Sequence, residues 1–117
     1  MTANRVILEM GSGNDLHGGD YTKAALRAIE DAVHHSSLAL FRSLGLDLAT
    51  MEIETTIGVA RPERVDAERI RRVFPYGRVS VRVVKGGLDV PREGGEDAVI
   101  ASAAIAVRAE VPQASPG

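Results

Sequence analysis

Four stretches of the chain carry the hydrophobic patterns of β-strands: residues 4–10, 51–60, 78–85 and 98–110. The alternation is clearest in the second stretch, where Ile53 and Ile57 alternate with Glu52 and Glu54. A period of two places successive side chains on opposite faces of a sheet. The last stretch is nearly continuous in small and branched apolar residues, as expected of a strand buried on both faces.

Two other stretches follow the helical period. Between residues 21 and 44, apolar or small residues recur at intervals of three and four, which predicts a long amphipathic helix. Gly45 is placed to end it. A shorter helix is predicted over residues 66–74, followed by a turn at 75–77, and residues 88–97 are predicted to form a polar loop.

The predicted element order is βαβαββ, which indicates an α/β domain: a four-stranded sheet with two helices on one face. We expect residues 1–111 to form this single domain and residues 112–117 a disordered tail. The last strand is also apolar on its second face, at Ile100, Ala104 and Ala106. We therefore expect the free face of the sheet to pack against other copies of the chain; a second face that is only partly covered is the alternative.

Composition narrows the class of protein. The chain has 117 residues and is 44% hydrophobic, enough for one domain with a real core. Its net charge of −2, with acids and bases mixed, argues against a nucleic-acid or membrane partner. The absence of cysteine excludes disulfides, thiolate catalysis and zinc–thiolate sites. No long apolar run or basic leader is present, so a soluble cytoplasmic protein is expected.

Candidate chemistry concentrates in residues 11–23, between the first predicted strand and the first predicted helix. A glycine-rich turn leaves backbone N–H groups free and the helix N-terminus adds positive charge, so the stretch can bind an anion or a polarised carbonyl oxygen. His17 and Lys23 supply a titratable and a fixed charge for acid–base catalysis. The predicted substrate-binding residues here are Gly11, Gly13, Asp15, Gly18, Gly19 and Asp20.

The same stretch also has simpler interpretations. The glycines can serve a tight turn, Asp15 can support that turn, and Asp20 can cap the helix. Asp15, His17 and Asp20 could offer oxygen and nitrogen ligands to a metal ion. Three ligands on one flexible loop are too few to indicate a metal site, so we assign no metal and no cofactor. The glycine spacing matches neither the dinucleotide-binding fingerprint nor a P-loop.

Groups distant in sequence are expected to join this site from the ends of strands. Lys85 precedes Gly86 and Gly87, and there it can bind an anion or act as a base when desolvated. Arg82 is a candidate to hold a substrate carboxylate. It is also the expected partner of the two glutamates of the second strand, which need a basic neighbour if an oligomer buries them.

The run Gly-Ser-Gly-Asn-Asp-Leu-His-Gly at residues 11–18 resembles the Gly-x-Gly-x-Asp-x-His-Gly signature of a family of short bacterial and plant proteins, known only as conserved hypothetical proteins. The likeness extends through Asp20 to residues 35–38 and resumes at 73–77 and 86–88, so it covers most of the chain. The family has no settled activity, and the resemblance implies none.

Part of the same region is similar to the ring-opening amidohydrolases, the cyanuric acid hydrolases and barbiturases. Their glycine-rich stretch leads into Asn-Asp-Phe-Thr-Arg, and Gly13-Asn14 together with residues 19–23 looks similar. Those enzymes consist of three related units, each a four-stranded sheet with two helices on one side, so the resemblance implies a homotrimer of this chain. Their Ser-Lys pair places the serine in a Ser-Gly-Gly turn, where this chain has Lys85-Gly86-Gly87 and no serine.

Three functional hypotheses follow. The first is an enzyme that opens a cyclic amide or imide at a subunit interface, with His17, Lys23 and Lys85 as catalytic groups; His17→Ala and Lys23→Ala should then keep the fold and lose ligand binding. The second is a deaminase-like trimer acting on small imines, with Arg82 or Arg108 holding a carboxylate. The third is a non-catalytic small-ligand-binding or assembly module.

Overall fold

The computed structural model of the chain describes residues 4–34, 50–74 and 77–109. Several predictions lie outside these residues: the later part of the long helix with the resemblance at 35–38, part of the turn after the second helix, and the C-terminal tail. No helix in the described ranges is long and apolar enough to cross a membrane.

The elements are β1 (Asn4–Asp15), α1 (Tyr21–His34), β2 (Glu52–Val59), a 3₁₀ turn (Pro62–Arg64), α2 (Ala67–Arg71), β3 (Arg78–Lys85), β4 (Leu88–Val90) and β5 (Ala98–Ala109). The predicted α/β fold is confirmed, and β3 has the predicted bounds. The sheet has five strands instead of four, because Leu88–Val90, predicted to be loop, pairs with the start of β5. The second helix is shorter than predicted and begins after Asp66, whose side chain caps it.

The strand order is β1-β5-β2-β3, with β4 also beside β5. Strand β5 is antiparallel to β1 and β2, and β2 is parallel to β3. Strands β1, β2 and β3 therefore all end at one edge of the sheet, here called the carboxyl edge. Segments 16–20, 60–66 and 86–87 leave the sheet there. The region outside the carboxyl ends of strands is where open α/β sheets bind ligands.

The core lies between α1 and one face of the sheet, and it is built from small residues where α1 crosses β1. A Cβ atom on Gly13 would lie 2.5 Å from the carbonyl oxygen of Ala24, and one on Gly11 would lie 2.6 Å from that of Ala28. No real Cβ approaches backbone that closely. The two glycines therefore let the helix rest directly on the strand.

This contact explains why β1 is longer than predicted. Residues 11–15 continue the strand, paired with β5 from Gly11 opposite Ala103 to Asp15 opposite Val99. The prediction of a turn that begins at Gly11 is wrong, because these glycines serve helix packing within a strand. The turn itself comprises residues 16–20.

The other face of the sheet is only partly covered in the described part of the chain. We call it the open face and define it by Leu8 and Met10 of β1 with Ile100, Ala104 and Ala106 of β5. Leu8 is 48% exposed and Met10 is 70% exposed. The three β5 residues are half-buried. The face thus presents an apolar patch over β1 and β5, as the pattern of the last strand predicts.

Across the same face, Glu54 pairs with β5 instead of β3. The Nε of Arg108 donates to Oε1 of Glu54 at 3.1 Å. Arg82, the predicted partner of this glutamate, is exposed opposite Thr56. Within one chain Glu54 therefore has Arg108 as its partner, because the register sets Arg108 opposite Glu52, one step along the face from Glu54. The predicted pairing with Arg82 applies to glutamates buried in an oligomer. An exposed pair of this kind adds little stability.

Candidate functional site

The turn after β1 is organised around the buried carboxylate of Asp15. Its Oδ2 accepts the backbone N–H of Asp20 at 2.9 Å. Arg27 of α1 lies 3.7 Å from Oδ1 and donates to the carbonyl of Asn14 at 2.7 Å. Asp15 itself is only 4% exposed. The turn is therefore folded around an anion that the chain supplies.

These contacts lower the pKa of Asp15. The hydrogen bond from the backbone of Asp20 is the main cause, and it outweighs burial, which acts in the opposite direction. The positive charges of Lys23 and Arg27 and the backbone of Gly18 lower the pKa further. The N–H group of Asp20, one of those expected to face a ligand, is thus already bonded to an ionised carboxylate.

Asp20 is the cap of α1. Its Oδ1 accepts the backbone N–H of Lys23 at 3.0 Å, and its carbonyl accepts the N–H of Ala24. The side chain of Lys23 is on the exposed side of the helix. The simpler interpretation of Asp15 and Asp20, as turn and cap residues, describes the contacts that both make.

His17 is exposed and lies against Arg92 of the segment between β4 and β5. Its Nδ1 is 3.2 Å from Nη1 of Arg92, which also donates to the carbonyl of Leu16. Arg92 thereby ties the turn after β1 to residues 91–97. Among the described residues, no three His, Asp or Glu side chains come together in a group that could hold a metal ion.

A cleft of about 320 Å³ opens beside the start of α1, at the carboxyl edge. Two cationic side chains come from the segment after β2, and two carboxylates come from the segment before β5. The lining residues are Gly19, Tyr21, Arg61, Arg64, Gly95, Glu96, Asp97 and Val99. Of the site residues predicted from sequence, Gly19 is the one in this lining; its φ of +60° is a conformation that glycine adopts without strain.

Tyr21 is the buried aromatic residue of this cleft, at 5% exposure. Its hydroxyl donates to Oδ2 of Asp89 at 2.5 Å, and the guanidinium carbon of Arg64 lies 5.6 Å from its ring centre. Burial raises the pKa of Tyr21, and the hydrogen bond to the Asp89 carboxylate raises it further. The phenol is therefore held in its neutral form at ordinary pH.

The remaining predicted residues lie elsewhere on the sheet. Lys85 ends β3 opposite Val59, at the carboxyl edge but outside the lining of the cleft. Gly86 and Gly87 carry the chain across the end of β2 toward β4: a Cβ on Gly86 would lie 3.2 Å from the Cα of Gly58, and Gly87 has a φ of +61°. Their geometry is that of a close backbone crossing.

Arg82 is on the opposite side of the sheet from the cleft. Its neighbours Val81 and Val83 pack against the core, so Arg82 projects with the open face. Val99, which lines the cleft, is buried on the helix side. Within one chain, the structure does not bring Arg82 together with the turn after β1.

Sequence reasoning missed the residues that build the cleft. Leu88-Asp89-Val90 alternates in the manner of a strand, which would have placed Asp89 on one face and its neighbours on the other. Arg61 and Arg64 directly follow a strand whose end lies at the carboxyl edge, a position that attracts ligand-binding residues. Those two signals were available in the chain.

Comparison with known proteins identifies a family. The model of a family described as "Conserved hypothetical protein (Lin0512_fam)" matches residues 5–107. A crystal structure at 1.22 Å, of an FtsZ-like protein of unknown function from Nostoc punctiforme PCC 73102, is similar with a TM-score of 0.81 and 35% identity, over 94% of this chain and 98% of that chain. No curated protein matches. As the resemblance to conserved hypothetical proteins implies, the chain belongs to the Lin0512_fam family of conserved hypothetical proteins.

Proposed function

We propose that this protein is a cytoplasmic small-molecule enzyme that binds a cyclic amide or imide in the cleft beside α1 and opens its ring by hydrolysis. The observation that supports the proposal most is the mixed lining of the cleft. Arg61 and Arg64 offer N–H donors, while Glu96 and Asp97 offer carboxylate acceptors. A molecule that carries both acceptors and donors is the best match to such a lining.

Cyclic imides carry carbonyl oxygens on both sides of an N–H group. The arginines can donate to the oxygens, and a carboxylate can accept the N–H. A simple anion would use only the arginines and a simple cation only the carboxylates, whereas an imide can bond to both kinds of group. The mixed lining therefore favours the imide class over either kind of simple ion.

The likeness to ring-opening amidohydrolases supplies the reaction class. Water would add to a carbonyl carbon, the C–N bond would break, and the leaving nitrogen would take a proton, giving an amide and a carboxylate. Water is the proposed nucleophile because no serine precedes Gly86 and Gly87. His17 lies in the turn that contributes Gly19 to the cleft, and Lys23 lies in the first turn of α1 directly after it, so the two remain the candidates for the proton transfer.

The proposal is tested by titrating the protein with a panel that includes succinimide, hydantoin and barbiturate, and by following ring opening of each compound by proton NMR. Arg61→Ala and Arg64→Ala should each weaken binding by about tenfold or more, since each removes a charged donor. Arg71→Ala is the matched control, because Arg71 lies on α2, pairs with Glu68 and is outside the lining. Equal binding by all three variants would contradict the proposed site.

We also propose that the chain assembles as a homotrimer through the open face. The exposed Leu8 and Met10 lie directly beside the half-buried Ala106 and Ala104, with which they pair. A second copy offers the same apolar surface, so each copy can cover the face of its neighbour. The resemblance to enzymes with three such units gives the number of copies.

A further inference from the structure

We propose that the outer edge of β3 pairs in parallel with the outer edge of β1 in a second copy of the chain, so that the copies join into one closed ring of sheet. This inference rests on the homotrimer proposed above and adds the strands that connect one copy to the next. It does not depend on which ligand binds in the cleft.

Strand β3 lies at one end of the sheet and offers a long, regular edge. In the described part of the chain its neighbour in the sheet is β2, and no strand lies beyond it. It has eight residues, no proline and no irregularity in its ladder with β2. Short length, proline and bulges are devices that keep an edge strand from pairing with another chain. Strand β3 has none of the three.

The hydrogen bonds at its two ends show which backbone groups of β3 are directed outward. The N–H of Arg78 donates to the carbonyl of Met51, and the N–H of Gly86 donates to that of Val59, each at 2.8 Å. Backbone groups alternate in direction along a strand, so the even-numbered residues of β3 bond to β2. The N–H and C=O groups that are directed outward are those of residues 79, 81 and 83.

The outer edge of β1 is open along only part of its length. The N–H of Ser12 donates to Oδ2 of Asp31 at 3.0 Å, and the carbonyl of Asn14 accepts from Nη1 of Arg27 at 2.7 Å. Both partners belong to α1, so the even-numbered residues of β1 direct their backbone groups away from β5. Helix α1 thus covers the last part of this edge. The even-numbered residues that precede the covered part are Leu8 and Met10.

These directions decide how the two edges can meet. The outward residues of β3 have their side chains on the helix side of the sheet, where they pack against the core. Leu8 and Met10 have theirs on the open face. In an antiparallel ladder two residues that bond to each other lie directly opposite and share a face, so the helices of the two copies would be on opposite sides. In a parallel ladder a bonding residue lies opposite one that bonds away, so all helices stay on one side.

A ring of copies has this parallel pairing. Strands β1 and β3 run in the same direction, so a rotation can bring β1 of the next copy beside β3. The open faces then point inward together, which removes the exposed Leu8 and Met10 from water. The enclosed carboxylates have basic neighbours, because Glu52 lies opposite both Arg78 and Arg108. A two-fold dimer joined at β3 would leave the open face exposed.

The ring also places the carboxyl edges of all copies on one rim. Lys85 ends β3 at that rim, on the side that meets the next copy. Lys85, which the sequence predicts to join the turn after β1, would therefore do so from the neighbouring copy.

The test is amide hydrogen exchange of the wild-type protein, followed by NMR once light scattering has given three chain masses. The amides of residues 79, 81 and 83 should exchange at least about a hundredfold more slowly than in an unstructured peptide. Those of Leu8 and Met10 should do the same. In the Met10→Lys variant, dissociated to monomers, the β3 amides directed outward should lose this protection. Ser80 and Arg82 are the internal control, because their amides bond to β2 and should stay protected in both proteins.

Three results would overturn the edge pairing. Unprotected outward amides of β3 in a wild-type trimer would mean that the copies meet by their faces alone. Protection that persists in monomeric Met10→Lys would mean that the chain covers its own edge. Protection of β3 without protection of Leu8 and Met10 would indicate that β3 pairs with β3 of another copy. A monomeric wild type would contradict the proposed homotrimer itself.

Discussion

The carboxylate of Asp15 accepts the backbone N–H of Asp20 at 2.9 Å, across the turn that joins β1 to α1. A glycine-rich turn before a helix attracts an anion, and here the anion is a side chain of the turn itself. The same sequence features that predict a ligand site therefore also build a self-contained structure. One of the buried oxygens that has no hydrogen-bond partner among the described residues, Oδ1 of Asp89, belongs to the carboxylate that is bonded to Tyr21 at the start of α1.

Asp15→Asn should make the protein less stable and less sensitive to acid. The contacts of Asp15 depress its folded-state pKa, so its contribution to stability is present above the unfolded value, about 3.9, and is lost as pH falls through the folded pKa. We expect a loss of about 1–3 kcal/mol in the free energy of unfolding at neutral pH. Urea unfolding of both proteins at pH values on either side of the unfolded pKa measures this. A variant with the acid sensitivity of the wild type would show that Asp15 is not the group responsible.

Gly13→Ala should destabilise the fold severely, because the added methyl group meets the backbone of α1 at Ala24. The cost should reach about 3 kcal/mol or more, since backbone on both elements must shift. Gly95→Ala is the control: its Cβ would come no closer than 3.8 Å to Arg92. Thermal unfolding of the two variants gives the comparison. Equal stability would mean that Gly13 is conformationally free, as a turn residue would be.

Tyr21 should ionise at a higher pH than an ordinary tyrosine, because burial and Asp89 both favour the neutral phenol. The ultraviolet absorbance of tyrosinate follows this in a Tyr76→Phe background, which leaves one tyrosine in the chain. Asp89→Asn should lower the pKa of Tyr21 toward its usual value.

The same raised pKa has a consequence for stability in alkali. The contribution of Tyr21 is fully present below the unfolded pKa, about 10, and is lost as pH rises through the folded pKa. The Tyr76→Phe protein, which keeps Tyr21, should therefore lose free energy of unfolding more steeply over that pH range than the Tyr21→Phe/Tyr76→Phe protein does. If the pKa of Tyr21 is the same in the Asp89→Asn variant as with Asp89 present, the hydrogen bond between Tyr21 and Asp89 is contradicted.

Met10→Lys should dissociate the proposed trimer, because it places a charge on the apolar part of the open face, beside Ala104. Light scattering coupled to size-exclusion chromatography should give three chain masses for the wild type and one for the variant. Val73→Lys is the control, since Val73 is also exposed, at 46%, but follows α2 away from the open face. A monomeric wild type would remove the proposed assembly and leave the open face exposed.

Periodicity predicted the fold well where a strand or helix is regular and has one clear buried face. It placed β3 at its observed bounds, and Asp66 at the start of α2. It failed where tertiary packing decides: Gly11 and Gly13 read locally as a turn, yet they are strand residues beneath a helix. A strand of three residues such as β4 is too short to carry a reliable pattern.

Single signals for Asp89 and for the two arginines are present in the sequence, but the cleft as a whole could not be predicted from it for a related reason. Tyr21, Arg61, Asp89 and Glu96 are far apart in the chain, and only the strand order brings them to one edge. His17 and Lys23, which lie close together in sequence, were correspondingly easy to select. A ligand site in the cleft and a ligand site in the turn after β1 predict opposite results. An imide that binds in the cleft should still bind to the His17→Ala and Lys23→Ala variants, whereas an imide that binds to the turn should not.

The most direct test of the central claim, that the cleft beside α1 is the ligand site, follows the arginine side-chain Nε–H signals by nitrogen-15 NMR during titration with the tightest-binding imide. The signals of Arg61 and Arg64 should shift and saturate together, while that of Arg71 on α2 stays in place. The His17→Ala and Lys23→Ala variants should give the same titration. Two results together would contradict this claim and place the site in the turn after β1: the signals of Arg61 and Arg64 do not move in the wild type, and the His17→Ala and Lys23→Ala variants no longer bind the imide.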